Sequence, residues 1–289
     1  MREARQYTNC TNPCVRTNGK RGIIFDVGYY SYKILNGTSS AKGFDHDNQI
    51  TSAAIAANGS YAIASASPKY LTELMVKNKN NEQIASWKSV NNYINTVAFS
   101  NDSMRVAATG IYSQDGLART TLRILDLRND QDPVVADTEI VGSAAIALCY
   151  LDNGNIVIVC DNRTVITDPN GKKLFDYSYT GKLFYYNLNQ YGAFVLCEKD
   201  GEYTATMLYD AKNAGASMKV SSEFKAEEHN ASDVYILEND KLDIYDREFN
   251  KISTEKDLDE AIGITCADNG TYVMTFSQIL KIGEQNETR

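Results

Sequence analysis

TVAFSNDSMRVAAT (96–109), AIALCYLDNGNIVIVC (145–160) and AIGITCADNGTYVMTF (261–276) are three copies of one pattern. Each has a short apolar strand, a tight polar turn and a second strand that is more apolar than the first. IAANGSYAIAS (55–65) repeats it, and NLNQYGAFVLC (187–197) is a looser copy. VRTNGKRGIIFDV (15–27) and HNASDVYILE (229–238) are weaker ones. Composition points the same way, with 19 Tyr and 9 Phe against a single Trp, Trp87. Tyrosine and β-branched residues favour strands, and Asn next to Gly or Asp favours tight hairpins. The chain reads as all-β.

The turns fall near Asn18, Asn58, Asn101, Asn153, Tyr191, Ala231 and Asn269, at gaps of 40, 43, 52, 38, 40 and 38 residues. That period, about 40–45 residues, matches a four-stranded propeller blade. The long gap has a visible cause in IYSQDGLARTT (111–121), an insertion between two strands. After each hairpin comes an alternating third strand, as in TLRILDLRNDQD (121–132), RTVITDPNGKK (163–173) or KLDIYDREFNK (241–251). A fourth follows, as in QIASWKS (83–89) or KLFDYSYT (173–180). The fold expected is a seven-bladed β-propeller of four-stranded antiparallel blades forming a single domain over 1–289. The blades are set near 13–40, 44–89, 92–140, 143–180, 182–221, 223–255 and 259–285. The last unit stops after ILKIGE (279–284) without a fourth strand, so residues 1–9, with REARQYT (2–8), are expected to supply the outer strand of the last blade and remove an exposed edge. A disordered tail is the alternative. The only helix-like stretches, 68–76, 221–229 and 255–262, are short. Seven turns at one period argue against a β-sandwich.

These hairpins resemble the β-propeller superfamily, WD40-like or quinoprotein-like, over nearly the whole chain. The marks of the best-known members are missing. No Gly-His…Trp-Asp pair recurs, Asp268-Asn269-Gly270-Thr271 has a sialidase-type turn without its Trp, and one Trp is too few for a quinoprotein propeller. The chain is most similar to an uncharacterised Firmicutes family in which an N-terminal membrane helix carries an extracytoplasmic propeller. That resemblance implies a cell-surface location with an anchor upstream of Met1, although no such helix is in this sequence. It lends no catalytic residue.

Charge and composition narrow the function. A net charge of −8 and a pI near 4.9 argue against nucleic acid, which demands a basic face. No apolar run approaches the length of a membrane span, and MREARQYTN (1–9) is no signal peptide, so no membrane insertion by this chain itself is expected. His46 and His229 lack zinc-ligand spacing. FDHDNQ (44–49) offers Asp45, Asp47 and Asn48 as hard-oxygen donors but falls short of a calcium loop, and reads as a solvated loop between blades. No G-x-S-x-G elbow or G-x-G-x-x-G cradle occurs. Catalytic residues, metal ligands and cofactors are therefore all assigned as none.

Cys149, Cys160, Cys197 and Cys266 lie in apolar strands and read as buried thiols. With Asn153-Gly154 taken as a two-residue turn, Cys149 faces Ile158 and Cys160 faces Ile146 or its neighbour. Cys10 and Cys14, in NCTNPC, could close a disulfide in an oxidising compartment.

What remains is surface. The face built by the loops joining second and third strands, plus those between blades, includes GYYSY (28–32), SPKY (67–70), IYSQDGLART (111–120), DNR (161–163) and EKDGEY (198–203). Their mix of Tyr with charged groups suits protein or glycan contacts, with Tyr29, Tyr30, Tyr70, Tyr112, Arg163 and Tyr203 as the candidate face. The alternative is that these tyrosines merely pack on neighbouring blades. The function expected is a non-catalytic, monomeric binding scaffold at a bacterial cell surface, its partner a protein or a glycan. The rivals are a carbohydrate-active propeller enzyme using scattered carboxylates, and a cytoplasmic protein-interaction propeller.

Overall fold

The computed structural model describes residues 11, 13–37, 41–129, 131–209, 215–258, 260–267 and 269–282, and these form strands and turns with no helix. Blade one holds β1 (Pro13–Asn18), β2 (Arg21–Asp26), β3 (Ser31–Asn36) and β4 (Lys42–Asp45). Blade two holds β5 (Ile50–Ile55), β6 (Tyr61–Ala66), β7 (Thr72–Lys77) and β8 (Gln83–Ser89). Blade three is β9 (Tyr93–Phe99), β10 (Arg105–Gln114), β11 (Leu117–Asp126) and β12 (Val134–Val141). Blade four is β13 (Ala145–Tyr150), β14 (Ile156–Cys160), β15 (Arg163–Thr167) and β16 (Lys173–Ser178). Blade five is β17 (Lys182–Asn189), β18 (Gly192–Lys199), β19 (Glu202–Leu208) and β20 (Ser217–Val220). Blade six is β21 (Ala226–His229), β22 (Asp233–Leu237), β23 (Leu242–Asp246) and β24 (Lys251–Glu255). Among the described residues blade seven has three strands, β25 (Ala261–Ala267), β26 (Gly270–Thr275) and β27 (Ile279–Lys281). The protein is an all-β seven-bladed propeller. It divides into two compact units, one through Asp176 and one from Tyr177 onward.

One turn geometry recurs. At Ala56 and Leu151, between first and second strands, the chain closes over three residues, the third in the left-handed region, Gly59 (φ 91°) and Gly154 (φ 85°); at Ser100, whose N–H bonds to Arg105 O, it closes over four, again with the third, Ser103 (φ 61°), left-handed. The turns starting at Asn78, Asp168 and Asp246, between third and fourth strands, repeat the three-residue closure. There the first side chain accepts backbone N–H bonds from two and four residues on, as Asp168 does from Asn170 and Lys172, both at 2.9 Å. Asn and Asp suit these places because a short side-chain acceptor replaces a missing backbone partner.

The second strands are the most apolar because both of their faces are covered. All five residues of β14 are buried, the signature of a strand packed on both sides. Buried side chains form layers between successive blades. Within the first unit Ile23, Phe25, Ile50 and Ile63 fill one layer, Leu74, Trp87, Val97 and Leu125 the next, and Leu122, Ile124, Ile156 and Val165 a third. Within the second unit, Phe194, Met207, Val234 and Ile236 fill one layer and Leu237, Leu242, Ala261 and Val273 another.

Several sequence expectations need correction. The insertion at 111–121 is a hairpin extension: β10 and β11 are ten residues each and turn at Asp115 (φ 53°) and Gly116 (φ 75°), the two-residue geometry that Asp-Gly favours. Cys160 pairs with Ala145, the neighbour of Ile146, as expected, whereas Cys149 pairs with Val157, not Ile158. The cause is the three-residue turn, in which Leu151 N–H bonds to Asn155 O at 2.8 Å and shifts the register by one. The helix-like stretches hold most of β7, all of β21 and the start of β25, and β7 shows the alternating burial of a strand. Phe44 and Asp45 end β4 in the outer strand of blade one rather than opening a loop. The expected outer strand at 1–9 and the Cys10 half of the expected disulfide lie outside the described residues. Cys14 has a free thiol.

Candidate functional site

Antiparallel pairing gives each blade two ends. At one end its second strand hands over to the third and its fourth strand leads to the next blade; at the other sit the tight hairpin turns. All six sequence candidates lie at or near the handover end.

Tyr29 and Tyr30 follow Gly28 (φ 86°) in a turn pinned to the next blade, Gly28 N–H bonding to Ile50 O and Ile50 N–H to Tyr29 O, both at 2.8 Å. With the backbone so held, the rings remain 49% and 51% exposed. Tyr70 is half-buried, with the Lys88 ammonium 5.4 Å from its ring centroid. Tyr112 donates its hydroxyl to Glu139, which also receives Arg119 Nη1 at 2.7 Å. That hydrogen bond raises the Tyr112 hydroxyl above its ordinary pKa and lowers the Glu139 carboxyl. Arg163 reaches Asp176 Oδ2 at 3.4 Å, beside Lys173 at 3.0 Å. Tyr203, in the second unit, packs edge-on against Phe184 at 5.0 Å.

Two concavities flank β12 in the first unit. A cleft of about 480 Å³ lies between β8 and blade three, lined by Trp87, Lys88, Asn91, Asn92, Tyr112, Gln114, Arg123, Asp137 and Glu139 among others. Trp87 does not face it as an open platform: it is 7% exposed, and the Arg123 guanidinium lies 4.4 Å over its ring. Arg123 also donates to Asp137, its direct cross-strand partner in register. On the other side of β12, between blades three and four, is a cavity of about 270 Å³ lined by Leu122, Thr138, Glu139, Ile140, Arg163, Val165, Thr167, Lys173 and Asp176, with Val141 at its edge. The structure thus brings Tyr112 into the cleft, Arg163 into the cavity and Tyr70 against the cleft residue Lys88. Tyr29 and Tyr30 line neither.

Sequence reading missed Trp87, Arg123, Asp137, Thr167 and Asp176. A usable signal was the alternation of Arg119 and Arg123 along one strand with Asp137 and Glu139 along the next, since opposite charges pair across neighbouring strands. Among the described residues no three His, Cys, Asp or Glu side chains come together in a metal-holding group, and no helix is long and apolar enough to cross a membrane.

Fold and concavities together define a β-propeller with a polar cleft on one side of β12 and a largely aliphatic cavity on the other. The chain belongs to DUF5711, a family of unknown function whose model matches residues 5–282. No curated protein matches it in sequence. Among solved structures it is similar to the β-propeller domain of Cps50 (Swd1) from Myceliophteria thermophila, at 12% identity and a TM-score of 0.58, over 96% of this chain and 98% of that one. It is also similar to BamB from Moraxella catarrhalis, at 12% and 0.55, over 90% and 79% of the two chains. Apo AztD from Citrobacter koseri aligns at 13% and 0.56, over 84% and 72%. At such identities these likenesses speak to the fold.

Proposed function

We propose that this chain is a non-catalytic binding scaffold that presents the handover end of its blades to a partner. The supporting observation is where its exposed large apolar side chains sit. In the first unit Val27, Tyr29, Tyr30, Val90, Tyr93, Leu117, Val141 and Ile146 are at that end, while Val15 lies in mid-strand and the opposite end and outer edges carry Ile84, Met104, Val134 and Leu174 singly. In the second unit Phe184, Ile262, Met274, Phe276 and Ile279 repeat the bias, with Ile252 alone at the opposite end. Exposed apolar groups grouped on one surface mark interaction sites, whereas scattered ones need no explanation, and tyrosine is enriched where partners dock. The test is photo-crosslinking in native cells from Tyr30 and Leu117 at the handover end, with Asn80 at the opposite end as control. A discrete adduct from the first two and none from the third supports the reading; no adduct, or equal adducts, overturns it.

On the resemblance to anchored propellers, we further place the scaffold outside the cytoplasm. Protease shaving of intact cells is expected to release peptides from 111–120 or 198–203. Release only after lysis sends the search to cytoplasmic partners.

A further inference from the structure

We propose that the cavity between blades three and four is a sugar-binding subsite, holding one neutral sugar ring of a glycan. This rests on the binding-scaffold reading in that it names one ligand class for the same unit.

The floor is aliphatic and buried: Leu122, Ile140 and Val165. Above it sit two polar groups left unanswered. Thr167 is 1% exposed, and its hydroxyl has no hydrogen-bond partner. Asp176 Oδ2 takes Lys173 and Arg163, while its Oδ1 is buried and has no partner. A buried polar atom without a partner is unfavourable, so native structures retain few of them. Here two such atoms, both buried, belong to residues that line one cavity.

The chemistry of a group that would satisfy both follows from the charges. Asp176 Oδ1 needs a donor. An ammonium would bring its charge up to Lys173 and Arg163, which already neutralise that carboxylate, and like charges at such range repel. An anion would meet Asp176 and Glu139. A neutral hydroxyl donates to Asp176 Oδ1 without either conflict, and a second hydroxyl can donate to or accept from Thr167. A ligand with several hydroxyls and an apolar C–H face to lay on Leu122, Ile140 and Val165 is a sugar ring. The volume, about 270 Å³, is at the small end of ligand sites, which suits one ring rather than a long chain.

A route for further rings exists. Thr138 and Glu139 line both this cavity and the larger cleft across β12. That cleft adds the side-chain amides of Asn91, Asn92 and Gln114, each offering a donor and an acceptor to a hydroxylated ligand.

The experiment titrates the full chain with maltotriose, cellotriose and chitotriose by calorimetry and thermal shift, for the native protein and for Thr167→Val and Asp176→Asn. At least one trisaccharide is expected to bind the native chain and raise its Tm. Thr167→Val keeps the side chain's shape and removes an unsatisfied hydroxyl, so the sugar-free variant melts at or above the native temperature. Its sugar affinity nonetheless falls at least tenfold, as does that of Asp176→Asn. The proposal is overturned if none of the three binds the native chain, or if either variant, still folded, binds as the native chain does. Crosslinking from Tyr30 and Leu117 reads the scaffold proposal separately, because neither residue lines the cavity.

Discussion

Replacing His229 with Ala should destabilise the second unit more than any surface change, and the magnitude follows from one buried pair. Glu227 and His229 are two apart on β21, so their side chains share a face, and both are fully buried. His229 Nδ1 meets Glu227 Oε1 at 2.8 Å, and Nε2 lies 3.3 Å from Gly192 O. Glu227 Oε2 already lacks a partner, so removing the imidazole strands both carboxylate oxygens away from water. Breaking a buried ion pair from one side typically costs about 3–5 kcal/mol, whereas replacing both members with apolar residues is often neutral or stabilising. Urea unfolding followed by far-UV circular dichroism should therefore show a loss of about 3–5 kcal/mol for His229→Ala. Most of that stability should return in the double variant Glu227→Leu with His229→Leu. A loss below about 1 kcal/mol, or a double variant as weak as the single, would refute the reasoning. The same pair sets a pH dependence. Burial alone would lower the His229 pKa, but the charges of Glu227 and Glu228 and the hydrogen bonds to Glu227 and Gly192 together raise it. Burial raises Glu227, only partly offset by His229. Both groups hold protons more tightly folded than unfolded, so stability falls as pH rises. The His229 share is complete below its unfolded pKa, about 6.5, and is lost as pH climbs through the higher folded value. In the double-Leu variant this slope should flatten.

Glycine substitutions separate strain from crowding. Gly154 and Gly171 both sit at positive φ, 85° and 80°, but a Cβ at Gly154 meets only Pro169 at 3.5 Å, while one at Gly171 falls 2.8 Å from Ala136 Cβ and Thr138 Oγ1. Gly154→Ala should cost about 1–2 kcal/mol and Gly171→Ala a further 1–3 kcal/mol from overpacking; equal losses in urea melts would remove the crowding argument. Phe194, fully buried among Tyr185, Phe224 and Phe249, should lose about 3–5 kcal/mol on replacement by Ala. Burial pushes the Cys160 and Cys197 thiols up to about 12 and about 11. Ellman's reagent at pH 8 should accordingly reach half-exposed Cys14 in the native protein and these two only on unfolding, and rapid native modification of Cys160 would contradict their burial.

The repeat was legible because the turns carry their own chemistry. Asn58 and Asn153 announce reversals, and the run Ile156–Cys160 announces a strand covered on both faces. An error arose where two turn geometries use closely similar dipeptides. Asn153-Gly154 closes a three-residue turn and Asp115-Gly116 a two-residue one, and the difference lies in backbone bonds that sequence does not display. The cavity was out of reach for another reason. Leu122 and Asp176 are far apart in the chain and meet only because blade three packs on blade four. Glu227-x-His229 was readable as two side chains on one face, but not as a buried pair, since burial depends on what blade five lays over them.

Among the described residues every sheet is ordered as the chain is, strand beside successive strand without a crossover. The contacts that define a blade therefore span only tens of residues, a low-contact-order arrangement unusual for an all-β chain, and such topologies fold faster than those needing distant pairings. On the ribosome, where N-terminal segments emerge first and synthesis is slow against local hairpin formation, each blade can pair its strands before the next is made. The tight Asn and Asp turns would then serve as successive nucleation points. Premature release of the chain would leave finished blades with one uncovered apolar face rather than a random coil, and those faces are where a holding chaperone would bind.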